Sequence, residues 1–208
     1  MVVVVDSKNE PEIKFETSHI AGFDFRLKAF LTCSDGSTIE SPQFLKQSLT
    51  VIKKMKGSAN RERARKHLVR KYENVSNHHS DWFWKPDRDL TDKFDVLCFE
   101  TLNLKGMQRL WGRKISDLGF GEFLQILDWV AKKKGKVVYI DRWYPSSKTC
   151  SHCGHVLEEL DLSVREWHRS SCRSINGRDE NAAKNIQTVG ASTVWLGDVR
   201  QLRAAIAI

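Results

Sequence analysis

Residues 144–186 read YPSSKTCSHCGHVLEELDLSVREWHRSSCRSINGRDENAAKNI. The stretch opens on a Cys-x-x-Cys pair, Cys150 and Cys153, then passes through a polar segment to Trp167 and a lone Cys172. It continues directly into Gly177-Arg178-Asp179-Glu180-Asn181, the composition of a helix's first turn, where carboxylates meet the positive end of the helix dipole. Two Cys pairs separated by about 15–20 residues can close a tetrahedron of thiolates around Zn²⁺. Here the second pair is half missing, because the segment reads Arg169-Ser170-Ser171-Cys172. Three thiolates remain, and a cation stands where the fourth belongs. His168, next to Arg169, is the candidate to complete a Cys₃His set with Cys150, Cys153 and Cys172. His152 and His155 are further candidates, read more simply as solvated turn residues. A metal knuckle abutting an acidic helix start suggests a zinc ribbon set just before the last carboxylate of a metal-dependent site.

Composition narrows the partners. The chain has 208 residues and a formal net charge of +8, with a pI near 9.3. That length suits one domain plus a small insert. The charge favours a polyanion, most simply nucleic acid. Five cysteines, two of them in a Cys-x-x-Cys, fit a metal site in a reducing compartment better than a disulfide framework, so a cytoplasmic protein is expected. The run Val2 to Val5 is too short for a signal segment or a membrane span, and no membrane partner is expected. Cys33 and Cys98 lie in apolar stretches and read as small core residues.

Outward from the knuckle the pattern is mixed α/β. Ile20 to Phe25 and Leu27 to Thr32 are short apolar stretches rich in strand formers, followed by turn chemistry at Ser34-Asp35-Gly36-Ser37 and a third strand near Thr38 to Glu40. Pro42 opens a polar region of helical composition reaching about Asp92, with Pro86 expected to interrupt the stretch Trp82 to Leu90. Phe94 to Phe99 reads as a buried strand ending at Glu100. Thr101 to Lys114 reads as a loop with Gly106 and Gly112 as breakers. From Ile115, apolar residues recur at helical spacing through Ala131, and Gly135 ends that helix. Val137 to Ile140 is a strand, Asp179 to about Thr188 a final helix, and the tail after Gly190 carries no usable pattern.

Three acids stand out. Asp24 sits between Phe23 and Phe25, Glu100 directly follows Phe99, and Asp179 opens the last helix. An ionised carboxylate inside an apolar strand is costly without a partner or a metal. Taken singly, a strand-terminal acid is more often a loop or capping residue. Together, the three would make an oxygen-rich site for Mg²⁺.

The segments AGFDFRLK, FETLNLKG, RWYPSSKTCSHCG and GRDENAAKNI, in this order over about Ile20 to Ile186, resemble the RuvC-like nuclease half of the TnpB (OrfB) family of transposon-encoded proteins. The resemblance implies a ribonuclease-H-like (RuvC-like) mixed sheet with helices, plus a small zinc-ribbon insert. It also implies an RNA-guided, Mg²⁺-dependent DNA endonuclease, with DNA and a guide-type RNA as partners. By motif position Asp24, Glu100 and Asp179 match its catalytic triad. The departures are Arg26 where the family usually has Gly two residues after the first Asp, Gly177 where it has Asp, and Pro86 within a helical stretch. The N-terminal half of the family, which holds its RNA- and target-contacting domains, has no counterpart here, so a truncated form is expected.

The expected layout is an N-terminal remnant (1–19), a RuvC-like domain (20–144 and 177–190), a zinc-ribbon insert (145–176) and a C-terminal tail (191–208). Lys53, Lys54, Arg61 and Arg65, in a basic run reaching Lys71, are the candidate nucleic-acid contacts, against the plainer reading of a solvated helix face. Trp111, Trp143 and Trp167 are candidates for base stacking or simple packing anchors. The alternative function is a nuclease-inactive nucleic-acid-binding fragment or regulator.

Overall fold

The computed structural model describes residues 19–44, 61–161, 163–169 and 172–206, with 61, 62, 64, 133, 134 and 195–206 described as backbone alone. Lys53 and Lys54 fall outside these residues. A five-stranded sheet has the order β3-β2-β1-β4-β5, where β1 is Ile20–Phe25, β2 Leu31–Cys33, β3 Thr38–Ile39, β4 Val96–Glu100 and β5 Lys136–Ile140. β1 to β3 form an antiparallel meander, whereas β1, β4 and β5 run parallel. Parallel neighbours need helical crossovers. α1 (Arg61–Lys93) precedes β4, α2 (Leu104–Leu118) and α3 (Phe120–Lys134) link β4 to β5, and α4 (Arg178–Ile206) closes the chain. Between β5 and α4 lies a hairpin of β6 (Glu166–Arg169) and β7 (Ser174–Gly177). The sheet is the mixed α/β sheet expected from the sequence, flanked by helices.

Strand parity sorts the side chains between two cores. Ala21 and Phe23 of β1, with Leu97 and Phe99 of β4, face α1 and α3, where Phe83, Phe120, Phe123 and Leu127 are buried. Each such Phe, fully removed from water, contributes about 1.5–3 kcal/mol, so this aromatic layer dominates the stability. The alternate residues, Val96 and Cys98 of β4 with Val138 and Ile140 of β5, face Ile186 and Val194 of α4. Gly22 shares that second face: a Cβ there would collide with the backbone of Ala183 and Gln187. Gly190 likewise leaves room for Cys98. Two glycines, one on a strand and one on the helix, therefore let α4 lie directly on the sheet.

Several expectations change. Thr101 to Lys114 is largely helical: the Asn103 side chain caps α2 by accepting the Gly106 N–H at 3.1 Å, and Leu104, Met107, Ile115 and Leu118 pack against the core. Gly112 does break the helix geometry, at φ 22° and ψ −99°, but within α2. Gly119, at φ 63°, ends α2 and leads into α3. α1 passes through Pro86 without interruption, and α4 extends well past Thr188, carrying the chain from 190 to Ile206 as helix. The second strand is shorter than expected and begins at Leu31. Among the described residues no helix is long and apolar enough to cross a membrane.

One buried acid belongs to the scaffold. Asp87 of α1 is fully buried, and neither carboxylate oxygen finds a hydrogen-bond partner. Burial, and then repulsion from Asp128 of α3, push its pKa to about 8. The folded chain thus holds a proton that the unfolded chain releases near pH 4, so this group's contribution to stability falls as pH rises from about 4 to 8. Asp87→Asn should remove that slope. Thermal melts should show the variant gaining at least about 3 °C on the wild type between pH 5 and pH 8.5, a shift of roughly 1 kcal/mol in a domain of this size.

Candidate active site and metal knuckle

Parity and register together bring the first two acids side by side. β1 and β4 are parallel, with Phe23 opposite Phe99, so Asp24 and Glu100 are the next residues along, on the α4 face at the C-terminal ends of neighbouring strands. The C-terminal edge of a parallel sheet is the usual place for a binding cleft. Asp179 lies in the first turn of α4, which Gly22 allows to approach β1. All three line one open cavity of about 700 Å³. Burial first, then the charges of Asp179 and Glu100, raise Asp24 to about 8, partly offset by Arg26 and Arg178. Glu100 is also raised, chiefly by burial, although Ser146 Oγ donates to its Oε2 at 3.2 Å. A site that holds acids against their own repulsion is one that a cation would relieve.

The departure at position 26 resolves into a contact. Arg26 turns into the cavity, where its Nη2 lies 2.8 Å from Asp179 Oδ2. The other cations lining the cavity are Lys28, Arg142, Lys148, Arg165 and Arg178. These were not singled out in the sequence because they are scattered over four segments and converge only through the fold. Arg65, by contrast, is an exposed residue of α1, a helix that packs on α3 on the opposite face of the sheet. Arg61 begins the same helix. Trp143 is 79% exposed and Trp111 43%, both lining the cavity, whereas Trp167 is buried.

The knuckle is built around three sulfurs. Cys150, Cys153 and Cys172 have Sγ atoms all within 4.8 Å of one another, with Cys150 and Cys172 at 3.7 Å. The spacing suits thiolates around Zn²⁺, for which bonds of about 2.3 Å put sulfurs roughly 3.8 Å apart. Burial alone would raise the Cys150 thiol, but hydrogen bonds from Ser174 and the N–H groups of His152 and Cys153 outweigh it, bringing it to about 6. Ser174 Oγ contacts Cys150 and Cys172 at 3.3 and 3.1 Å, and Asn176 Nδ2 donates to Ser174 Oγ at 3.0 Å. His168 is not part of the group. It is exposed on β6, and since successive strand residues point to opposite faces, burying Trp167 turns its neighbour outward. His152 and His155 are exposed and also outside the group. Arg169, paired with Ser174 across the hairpin, keeps its Nε buried without a hydrogen-bond partner.

Two asparagines tie the knuckle to the acids. Asn181 and Asn185 are one turn apart on α4 and both are buried. Asn185 Nδ2 donates to the carbonyls of Ser146 and Thr149 at 2.8 and 2.6 Å, and Asn181 Nδ2 to that of Thr149 at 2.7 Å. The Ser151 N–H returns a bond to Asn181 Oδ1 at 2.9 Å. The segment that begins the knuckle is therefore pinned to the helix that carries Asp179, and through Ser146 to Glu100.

Known proteins resemble this chain in sequence and fold. A protein of Streptomyces pristinaespiralis, named as a candidate RNA-guided DNA endonuclease, is 32% identical over 193 residues, which cover 88% of this chain and 48% of that protein. TnpB-like protein L79 of Acanthamoeba polyphaga mimivirus is 35% identical over 150 residues, 67% of this chain and 28% of that protein. The family described as Cas12f1-like, TNB domain matches residues 120–186, a span running from α3 through the knuckle to Ile186. The chain belongs to the TnpB family. A chain in a cryo-EM structure of a Cas12f1–sgRNA–target DNA complex shares its fold, with a TM-score of 0.56 at 18% identity over 81% of this chain and 49% of that one. This TnpB-family chain spans about half the length of its Streptomyces relative and less of the mimivirus protein.

Proposed function

We propose that this TnpB-family chain is the nuclease unit of a transposase-type protein, acting on the phosphodiester backbone of DNA in a reaction that depends on Mg²⁺. The observation that carries the reading is the meeting of Asp24, Glu100 and Asp179 in one cavity rimmed by arginine and lysine. In this reading Asp24 and Glu100 hold the cation with Asp179 beside them, an all-oxygen donor set that suits a hard ion. When bound, the ion supplies Lewis acidity for an attacking water and for the phosphate charge. Ser146 orients Glu100, while Arg142, Lys148, Arg165 and Arg178 draw the phosphates in. The thiol trio holds Zn²⁺ as a structural ion, with residues 145–176 as its ribbon. The relatives' names extend the reading to RNA guidance, with RNA as a second partner. A labelled single-stranded DNA incubated with the purified chain and Mg²⁺ or Mn²⁺ tests it directly: divalent-dependent scission supports the reading, and intact DNA with either ion sinks it.

A second reading, a nucleic-acid binder without nuclease activity, draws on one observation. Arg26 already neutralises Asp179. Both readings place phosphates over the cavity cations. Replacing Arg142 and Arg165 together with Ala should then lower the slope of log affinity against log salt by about 1.4 for single-stranded DNA, two contacts at roughly 0.7 each. Fluorescence anisotropy at several salt concentrations measures it. The same measurement with Lys53, Lys54, Arg61 and Arg65 neutralised tests the basic run, and an unchanged slope there would mark it as a solvated face.

A further inference from the structure

Arg26 follows β1 directly, so its guanidinium reaches the mouth of the same cavity that Asp24 lines. It is held from two sides: Nη2 by Asp179 Oδ2 at 2.8 Å, and Nη1 by donating to Thr32 Oγ1 at 3.4 Å, where Thr32 is itself buried. The pair is only partly exposed, 26% for the Arg26 side chain and 19% for Asp179, so water screens it incompletely. A guanidinium carries five donors and no acceptor, and it stays charged at any working pH. It can neither ligate a metal nor step aside by losing its proton.

The other side of the site is different. Among the described residues, no lysine or arginine nitrogen lies within ion-pair distance of Asp24 or Glu100. Among the described residues the Glu100 side chain has only the Ser146 hydroxyl as a hydrogen-bond partner. The three carboxylates also do not draw together as the thiols do: among the described residues, the only group of three or more metal-capable side chains within 4.8 Å of one another is the thiol trio. The site thus has one carboxylate paired directly to a fixed cation and two that make no ion pair among the described residues, although the charges of Arg26 and Arg178 reach Asp24 from a distance.

We propose that Arg26 is a built-in cation that takes over the Asp179 side, so that the chain binds one divalent ion, between Asp24 and Glu100, where a carboxylate trio would otherwise hold two. The inference rests on the reading of these acids as cation ligands. It gives the departure at position 26 a definite effect, a change in the number of bound ions.

Counting Mn²⁺ tests this without any cleavage assay. Isothermal titration and electron paramagnetic resonance on the full chain give the ions bound, with Asp24→Asn as the baseline that lacks them. The expected result is one Mn²⁺ above baseline for the wild type, and two for Arg26→Gly with the spin-coupled spectrum of a close pair. Arg26→Gln keeps most of the side chain's volume and a donor while removing the charge, so it should also bind two and guards against a folding defect in the glycine variant. In the wild type, Asp179→Asn should change Mn²⁺ affinity by less than about twofold. Two ions on the wild type, or one ion on all three proteins, overturns the role of Arg26 alone. No ion above baseline on any of them overturns the carboxylate reading and the proposal with it.

Discussion

Asp24→Asn is expected to abolish divalent-dependent cleavage, by at least about a thousandfold, while leaving the protein as stable as the wild type or more so. The two effects part because the acid costs the fold energy. Burial, with the charges of Asp179 and Glu100, raises Asp24 to about 8. The folded state keeps its proton while the unfolded state loses it near pH 4, so stability is lost progressively as pH climbs from about 4 to 8. An amide of the same size carries no such penalty at any pH, yet cannot supply an anionic ligand. A cleavage time course and a melting curve at pH 8, run on the same preparations, check both halves. Cleavage that survives would remove Asp24 from the site. Cleavage lost together with several degrees of melting temperature would reduce Asp24 to a structural residue.

The energetic cost of holding an acid at position 24 explains why that part of the candidate site was legible in the sequence. Phe23-Asp24-Phe25 and Phe99-Glu100 break an otherwise apolar pattern at strand ends, and such breaks mark sites where something other than packing decides the residue. Asp179 was legible through its place at a helix start. The strands were legible because parity is a short-range signal: two-residue alternation places Asp24 beside Glu100 once β1 and β4 are known to be parallel. Less could be read where a local signal was overruled. Gly106 and Gly112 hid α2, although Leu104, Met107, Ile115 and Leu118 keep near-helical spacing and Asn103 supplies a cap. Pro86 hid the continuity of α1. Asn181 and Asn185 look like ordinary polar helix residues, and only the fold reveals that they hold the carbonyls of Ser146 and Thr149. His168 stood next to the right position in sequence and on the wrong face of its strand.

The strand face also decides what happens at position 169. Arg169→Cys is expected to raise zinc affinity by at least tenfold. His168 is exposed and outside the thiol trio, and among the described residues no histidine joins the three sulfurs. Arg169 sits across the hairpin from Ser174, whose hydroxyl touches two of the three sulfurs, so position 169 borders the site and a guanidinium there would add positive charge near a bound dication. Among the described residues its buried Nε has no hydrogen-bond partner, so shortening the side chain breaks no bond at that atom. A fourth thiolate there would close a tetrahedron that three leave open. The gain should travel, because Asn181 and Asn185 fix the start of the knuckle to the helix that bears Asp179. Zinc titration against a competing chelator, at a pH where thiols ionise, measures the affinity. Hydrogen exchange over residues 146–156 and 178–186 measures the transmission. Slower exchange in both segments of the zinc-loaded variant is the expected result. Equal affinity in the two proteins would mean that three thiolates and a water already satisfy the ion. Tighter zinc with exchange unchanged over 178–186 would mean that the asparagine clamp holds α4 whether or not the knuckle is filled.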